Sequence, residues 1–154
     1  MKSLLEQNGG FFIEFEMLSE MKAALQQLFA SGAVVIIATM AKSCGSLLSR
    51  KIKSQSQNPS ANETIEKFCE ILSEWNWGEF SFSQVDLEQG SGKAFVKNSI
   101  ETRRKKSKDG LGCYFLSNFI AGFLSELLCR DVTVKERKCV CRMNGICEFE
   151  FYSE

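Results

Sequence analysis

Val132-Thr133-Val134-Lys135-Glu136 and Cys147-Glu148-Phe149-Glu150-Phe151, separated by a connection that contains Asn144-Gly145, decide how this chain folds. Each run alternates residue character with the two-residue period of a strand. Asn-Gly is a strong hairpin signal, because both residues adopt the positive φ that a tight turn between twisted strands demands. The chain is therefore expected to end in an antiparallel hairpin.

Working back from it, Cys113 to about Leu128 is apolar on several faces and predicts a largely buried helix. Phe80, Phe82 and Val85, then Gly90-Ser91-Gly92, then Ala94-Phe95-Val96 predict a second pair of strands around a glycine turn. Asn62-Glu63-Thr64 opens an amphipathic helix carrying Ile65, Phe68, Cys69, Leu72 and Trp75, and Gly78 is its stop. Ser54 to Asn62, with Pro59, reads as a loop. Ala33 to about Lys53 predicts another helix, whose Ala38, Ala41, Ser43 and Gly45 leave a face that a second backbone can approach. Nearer the start, Phe11 to Glu16 reads as a short strand and Ser19 as the cap of a helix through about Ala30. Thr102 to Asp109 reads as a basic loop. The expected class is α+β: about four helices packed on an antiparallel sheet of about four or five strands. A single domain is expected over residues 1–154, with the strand and helix of residues 1–32 at its start.

Charged residues make up 25% of the chain and the hydrophobic set 44%, an ordinary composition for a folded soluble domain. A formal net charge of zero supplies no general attraction to nucleic acid or membrane. The unbroken apolar run Ala33–Met40 falls well short of the ~20 residues of a membrane span, and Glu6, Gln7 and Asn8 interrupt any signal-peptide core. A cytoplasmic protein without a transmembrane segment is expected. In that compartment seven cysteines stay mostly reduced, which favours metal binding or reactive thiols over disulfides. The absence of histidine excludes histidine-ligated haem, Ser-His and Cys-His dyads and histidine zinc ligands.

The last third of the chain concentrates potential metal ligands: Cys113, Cys129, Cys139, Cys141, Cys147 and Glu136. Zinc takes four ligands in a tetrahedron, thiolate sulfur foremost and carboxylate oxygen allowed. Cys139 and Cys147 flank the hairpin turn and Glu136 precedes Cys139 by three residues. Cys113 begins a helix, where free N–H groups favour a thiolate. Cys141 competes with Cys139, two residues away on the same strand face, and spacing by itself does not choose between them. Burial as small hydrophobes is the alternative role for all of these thiols.

Several segments from Ala33 to the C-terminus resemble the 4-vinyl reductase domain family, which is related to the small TRAPP vesicle-tethering subunits. They are Ala41-Lys42-Ser43-Cys44-Gly45, Glu74-Trp75-Asn76-Trp77-Gly78, Lys97-Asn98-Ser99, the Cys113 helix with Gly122, and above all Val134-Lys135-Glu136-Arg137-Lys138-Cys139 with Gly145-Ile146-Cys147-Glu148-Phe149. In phenol-sensing activators of that family, zinc is held by a cysteine, a glutamate and two cysteines in this order and spacing. The resemblance thus implies Zn2+ on Cys113, Glu136, Cys139 and Cys147, with Cys141 outside the site. It also implies a homodimer, a protein partner of the TRAPP kind as an alternative, and an apolar pocket for a hydrophobic or aromatic small molecule. Met40, Trp75, Trp77, Phe115 and Phe119 are its candidate lining, although aromatic residues at such spacing commonly form core. Those phenol sensors use a pocket histidine that this chain lacks, so phenol sensing does not carry over.

The resulting expectation is a zinc-stabilised, non-catalytic sensory or ligand-binding domain; a TRAPP-like assembly subunit and a tetrapyrrole-binding or redox-thiol-sensing protein are the alternatives. Archaeal transcription regulators with this domain use cysteines for redox sensing, and Cys141, close to Arg137, Lys138 and Arg142, has the most electropositive setting for such a thiol. Arg103-Arg104-Lys105-Lys106-Ser107-Lys108 lacks interleaved aromatics and reads as a solvated loop without direct nucleic-acid contact. No nucleotide-cofactor fingerprint is present, and Gly90-Ser91-Gly92-Lys93 fits a hairpin turn better than a phosphate loop.

Overall fold

A computed structural model describes residues 15–102, 113–139 and 145–153. Its elements are α1 (Phe15–Phe29), α2 (Gly32–Gln55), α3 (Ala61–Glu74), β1 (Glu79–Asp86), β2 (Ser91–Lys97), α4 (Tyr114–Leu128), β3 (Val132–Lys138) and β4 (Cys147–Ser153). The chain divides into two compact units, Met1–Ile37 and Ala38–Glu154.

In the first unit, residues 15 and 16 are already helical and Ser19 lies inside α1 rather than capping it. The expected strand is corrected to that extent, its remainder lying outside the described residues. Leu18, Met21, Leu25 and Leu28 recur at three and four residues, a helical period that extends past Ser19 and outweighs a brief alternation. Ala30, at φ 47°, ends the helix with its N–H donated to the Gln26 carbonyl at 2.9 Å. Among the described residues α2 is long and apolar enough, by length and composition, to cross a membrane, and 33% of its apolar window is buried inside the molecule. The unbroken run Ala33–Met40 understated this, because a helix averages its hydropathy over interspersed small and polar residues.

In the second unit, the four strands form one antiparallel sheet in the order β1-β2-β4-β3. Alternation sets its faces: Cys147, Phe149 and Phe151 of β4 are buried, while Glu148 and Glu150 stand on the other side among Lys93, Arg137 and Lys138. Phe68 of α3 fills the space over the buried face, stacked on Phe123 of α4 with centroids 3.9 Å apart and edge-on to Phe80 of β1 at 5.9 Å. Helix α3 starts one residue earlier than Asn62 because Ser60 forms a complete capping box with Glu63, shortening the expected loop.

Helices α2 and α4 touch backbone to backbone. A Cβ on Gly45 would lie 2.0 Å from the Phe119 carbonyl oxygen, and one on Gly122 1.9 Å from that of Lys42. Ser46 Oγ donates to the Gly122 carbonyl at 3.0 Å across the same crossing. Further along, Lys53 Nζ donates to the Glu126 carbonyl at 2.8 Å, satisfying a carbonyl in the last turn of α4. The small-residue face read from Ala41 to Gly45 is therefore a close helix crossing, and it holds α4 at a fixed height over the sheet.

Candidate metal centre

Cys113, Glu136, Cys139 and Cys147 converge where the start of α4 meets the β3–β4 hairpin, their donor atoms all within 4.8 Å of one another. Cys113 and Cys147 are buried, Glu136 and Cys139 half-buried. Cys113 Sγ lies 3.7 Å from Cys147 Sγ and 3.9 Å from Cys139 Sγ. These are not disulfide distances. A tetrahedral ion with metal–sulfur bonds of ~2.3 Å sets sulfurs ~3.8 Å apart, the spacing found here.

A β-bulge makes the convergence possible. Glu136 pairs with Phe149, but Lys138 rather than Arg137 pairs with Glu148. Under strict alternation, Glu136 and Cys139, three residues apart, would face opposite sides of the sheet. The extra residue at the bulge turns Cys139 to the inner face shared by Glu136, Cys147 and Phe149.

Cys113 is the N-cap residue of α4, and its backbone N–H donates to Glu136 Oε2 at 3.0 Å. The other carboxylate oxygen, Glu136 Oε1, is buried with no hydrogen-bond partner among the described residues. A buried acceptor of this kind normally finds a partner, and its absence marks a place where a ligand belongs. The hydrogen bond with Cys147, burial, and the nearby Glu101 and Glu136 carboxylates push the Cys113 thiol well above its ordinary range. Three thiolates and a carboxylate thus cannot all be charged here unless a cation sits among them. The donor set Cys3Glu suits a divalent ion preferring sulfur, so these side chains could hold a metal.

Two neighbours had no such role in the sequence reading. Ser99, fully buried, places its Oγ 3.9 Å from Cys113 Sγ. Glu101, also buried, accepts the backbone N–H groups of Phe115 at 3.1 Å and Leu116 at 2.9 Å, and so caps the first turn of α4. Ser99 was noted only as part of a family segment. No local pattern ties Glu101 to a helix beginning more than ten residues later.

The four aromatic candidates adjoin one another. Trp77 meets Trp75 at 5.8 Å, Phe115 at 5.7 Å and Phe119 at 5.1 Å between ring centroids. Trp75 Nε1 is buried without a hydrogen-bond partner among the described residues. Met40, by contrast, is 52% exposed. Cys44 and Cys129 are exposed, and burial pushes the Cys69 thiol up to about 11. Cys141 and the basic run Arg103–Lys108 lie outside the described residues.

Residues 93–152, which contain all four clustered side chains, match the vinyl-4-reductase domain. No curated protein matches the chain by sequence. The fold is similar to that of the phenol-responsive sensory domain of the transcription activator PoxR, solved with phenol, at TM-score 0.78 and 14% identity over 93% of this chain and 76% of that one. It is also similar to a trafficking protein particle complex subunit 3 from Naegleria fowleri covalently bound to palmitic acid, at TM-score 0.61 and 14% identity over 91% and 95% of the two chains. A vinyl-4-reductase family protein from Methanocaldococcus jannaschii aligns at TM-score 0.51 and 18% identity over 94% and 98%. The resemblance to the 4-vinyl reductase family and its TRAPP relatives therefore holds in two ways: residues 93–152 carry the family match, and the chain shares the fold of both groups.

Proposed function

We propose that this chain is a small-molecule-binding or sensory domain whose C-terminal hairpin is fastened to α4 by one zinc ion, without catalytic activity of its own. The convergence of Cys113, Glu136, Cys139 and Cys147 carries the reading. Bound there, zinc would supply the positive charge that keeps three buried thiols ionised. Four protein ligands leave no open position for a substrate, the mark of a structural site. Retention of three reduced thiols side by side also fits a reducing, cytoplasmic compartment.

The ligand site of this reading is the aromatic group Trp75, Trp77, Phe115 and Phe119, with Met40 as a fifth and more exposed candidate. Flat rings supply apolar contact area, and the Trp75 indole N–H is a donor for an acceptor atom on a hydrophobic or aromatic molecule. Exposed apolar side chains, Leu28 at 75% and Val35 at 67%, favour association through helices, as a homodimer or, in the second reading, within a TRAPP-like assembly.

Native mass spectrometry of the protein purified under reducing conditions tests the reading. One zinc per chain is expected, lost together with thermal stability in Cys139→Ser and Cys147→Ser. Metal-free protein whose stability matches that of both variants overturns it. A hetero-oligomer recovered with a partner, without a carried small molecule, favours the assembly reading.

A further inference from the structure

Between β2 and the start of α4, residues Asn98 to Thr102 touch three things at once. Ser99 Oγ reaches Cys113 Sγ at 3.9 Å. Its oxygen already accepts the Glu101 backbone N–H at 3.2 Å, which leaves the hydroxyl hydrogen for the sulfur. A metal-bound thiolate only accepts, so the direction of that bond is set once a metal is present. Glu101 then holds the N–H groups of Phe115 and Leu116, fixing the helix turn that begins at Cys113. Finally, the Ile100 N–H donates to the Trp77 carbonyl at 2.8 Å, and the Trp77 ring leans on Phe115 at 5.7 Å. The Thr102 side chain and backbone N–H both return to the Ser99 carbonyl, at 3.2 and 3.1 Å, closing the turn.

We propose that Ser99 and Glu101 are positioning residues of the metal centre, and that the turn carrying them couples its occupancy to the tryptophan cluster. The inference rests on the metal reading above. Ser99 orients the Cys113 lone pairs and stabilises its charge, as outer hydrogen bonds do for metal ligands generally. Glu101 fixes where the Cys113 backbone stands. Loss of the metal releases Cys113, then the turn, then the Trp77 backbone.

Cobalt(II) titration of the reduced, metal-free protein tests this, with zinc affinity measured by chelator competition and folding checked by circular dichroism. Ser99→Ala is expected to weaken metal binding about 10- to 100-fold and to move the sulfur-to-cobalt charge-transfer band to lower energy, since an undonated thiolate gives up electrons more easily. Glu101→Gln keeps the Ser99 hydroxyl and one acceptor for the helix N–H groups. It is expected to weaken binding while leaving the band in place. The chain's two tryptophans both lie in the cluster, so intrinsic emission reads it alone. Metal removal is expected to shift wild-type emission, and to shift it less in Ser99→Ala. Wild-type affinity and an unmoved band in both folded variants, or wild-type emission indifferent to metal, overturns the proposal while the metal reading stands. If Ser99→Ala does not fold, Glu101→Gln with wild-type affinity overturns it. A wild-type protein that takes up neither cobalt nor zinc overturns both.

Discussion

Arg137 and Lys138, successive residues of β3, both reach carboxylates on the outer side of β4: Arg137 to Glu150 at 2.6 Å and Lys138 to Glu148 at 3.2 Å. Neighbours in an undisturbed strand point in opposite directions. Their shared direction is the outward sign of the bulge that returns Cys139 to the inner face. Both side chains are well exposed, so these ion pairs contribute little to stability.

Deletion of Arg137 is accordingly expected to abolish tight zinc binding by sending Cys139 to the outer face, a loss beyond the roughly 10–100-fold of an outer-shell change. Arg137→Ala keeps the extra residue and is expected to bind zinc normally, with stability changed by less than about 1 kcal/mol. Chelator competition and thermal melting of the two proteins separate the roles of bulge and charge. Equal zinc affinity in both would show that the bulge is not what aligns the ligands.

The helix crossing makes a sharper demand. Gly45→Ala and Gly122→Ala each place a methyl group within 2.0 Å of a backbone carbonyl oxygen that cannot move without shifting its helix. Each is expected to destabilise the protein by about 3 kcal/mol or more, lowering Tm by about 6–12 °C. Gly32→Ala meets nothing closer than 3.8 Å and is the control, expected near or above wild-type stability. Thermal melts of metal-loaded proteins decide it, and tolerance of both crossing substitutions would contradict the packing described.

Cys69 supplies a pH signature. Burial first, then the Glu66 and Glu70 carboxylates, raise its thiol from 9.0 to about 11. A folded-state thiol that ionises later than the unfolded one favours folding below pH 9.0, and that contribution falls away as pH rises toward about 11. Wild-type Tm is thus expected to drop more steeply than that of Cys69→Ala between those pH values. At pH 8 a pKa of about 11 in place of 9.0 leaves about a hundredfold less thiolate, so alkylation of Cys69 should lag far behind that of exposed Cys44 and Cys129. Peptide mapping after brief alkylation checks this, and rapid labelling of Cys69 would contradict it.

Elements whose pattern is local were legible in the sequence: the two hairpins, the Cys113 helix, and the small-residue face that became the Gly45–Gly122 crossing. Ser19 misled because a capping residue is also tolerated inside a helix, and the helical period of Leu18, Met21, Leu25 and Leu28 outranks it. At the metal centre, spacing left Cys141 in contention with Cys139. Alternation would even have put Glu136 and Cys139 on opposite faces, since a bulge is a property of two paired strands and is invisible in either one. Ser99 and Glu101 stayed hidden for a related reason: their partners, Cys113 and the first turn of α4, lie more than ten residues away, where no periodicity reaches.

The crossing of α2 and α4 also bears on how such a chain can diverge. Gly45 and Gly122 act through what they lack, and no other amino acid lacks it, whereas four metal ligands can be exchanged together for well-packed apolar side chains without cost to the surrounding helices. A lineage that gave up its metal would be expected to keep this pair of glycines, or residues nearly as small. Common descent within this fold is then better sought at positions selected for emptiness than at the conspicuous cysteines.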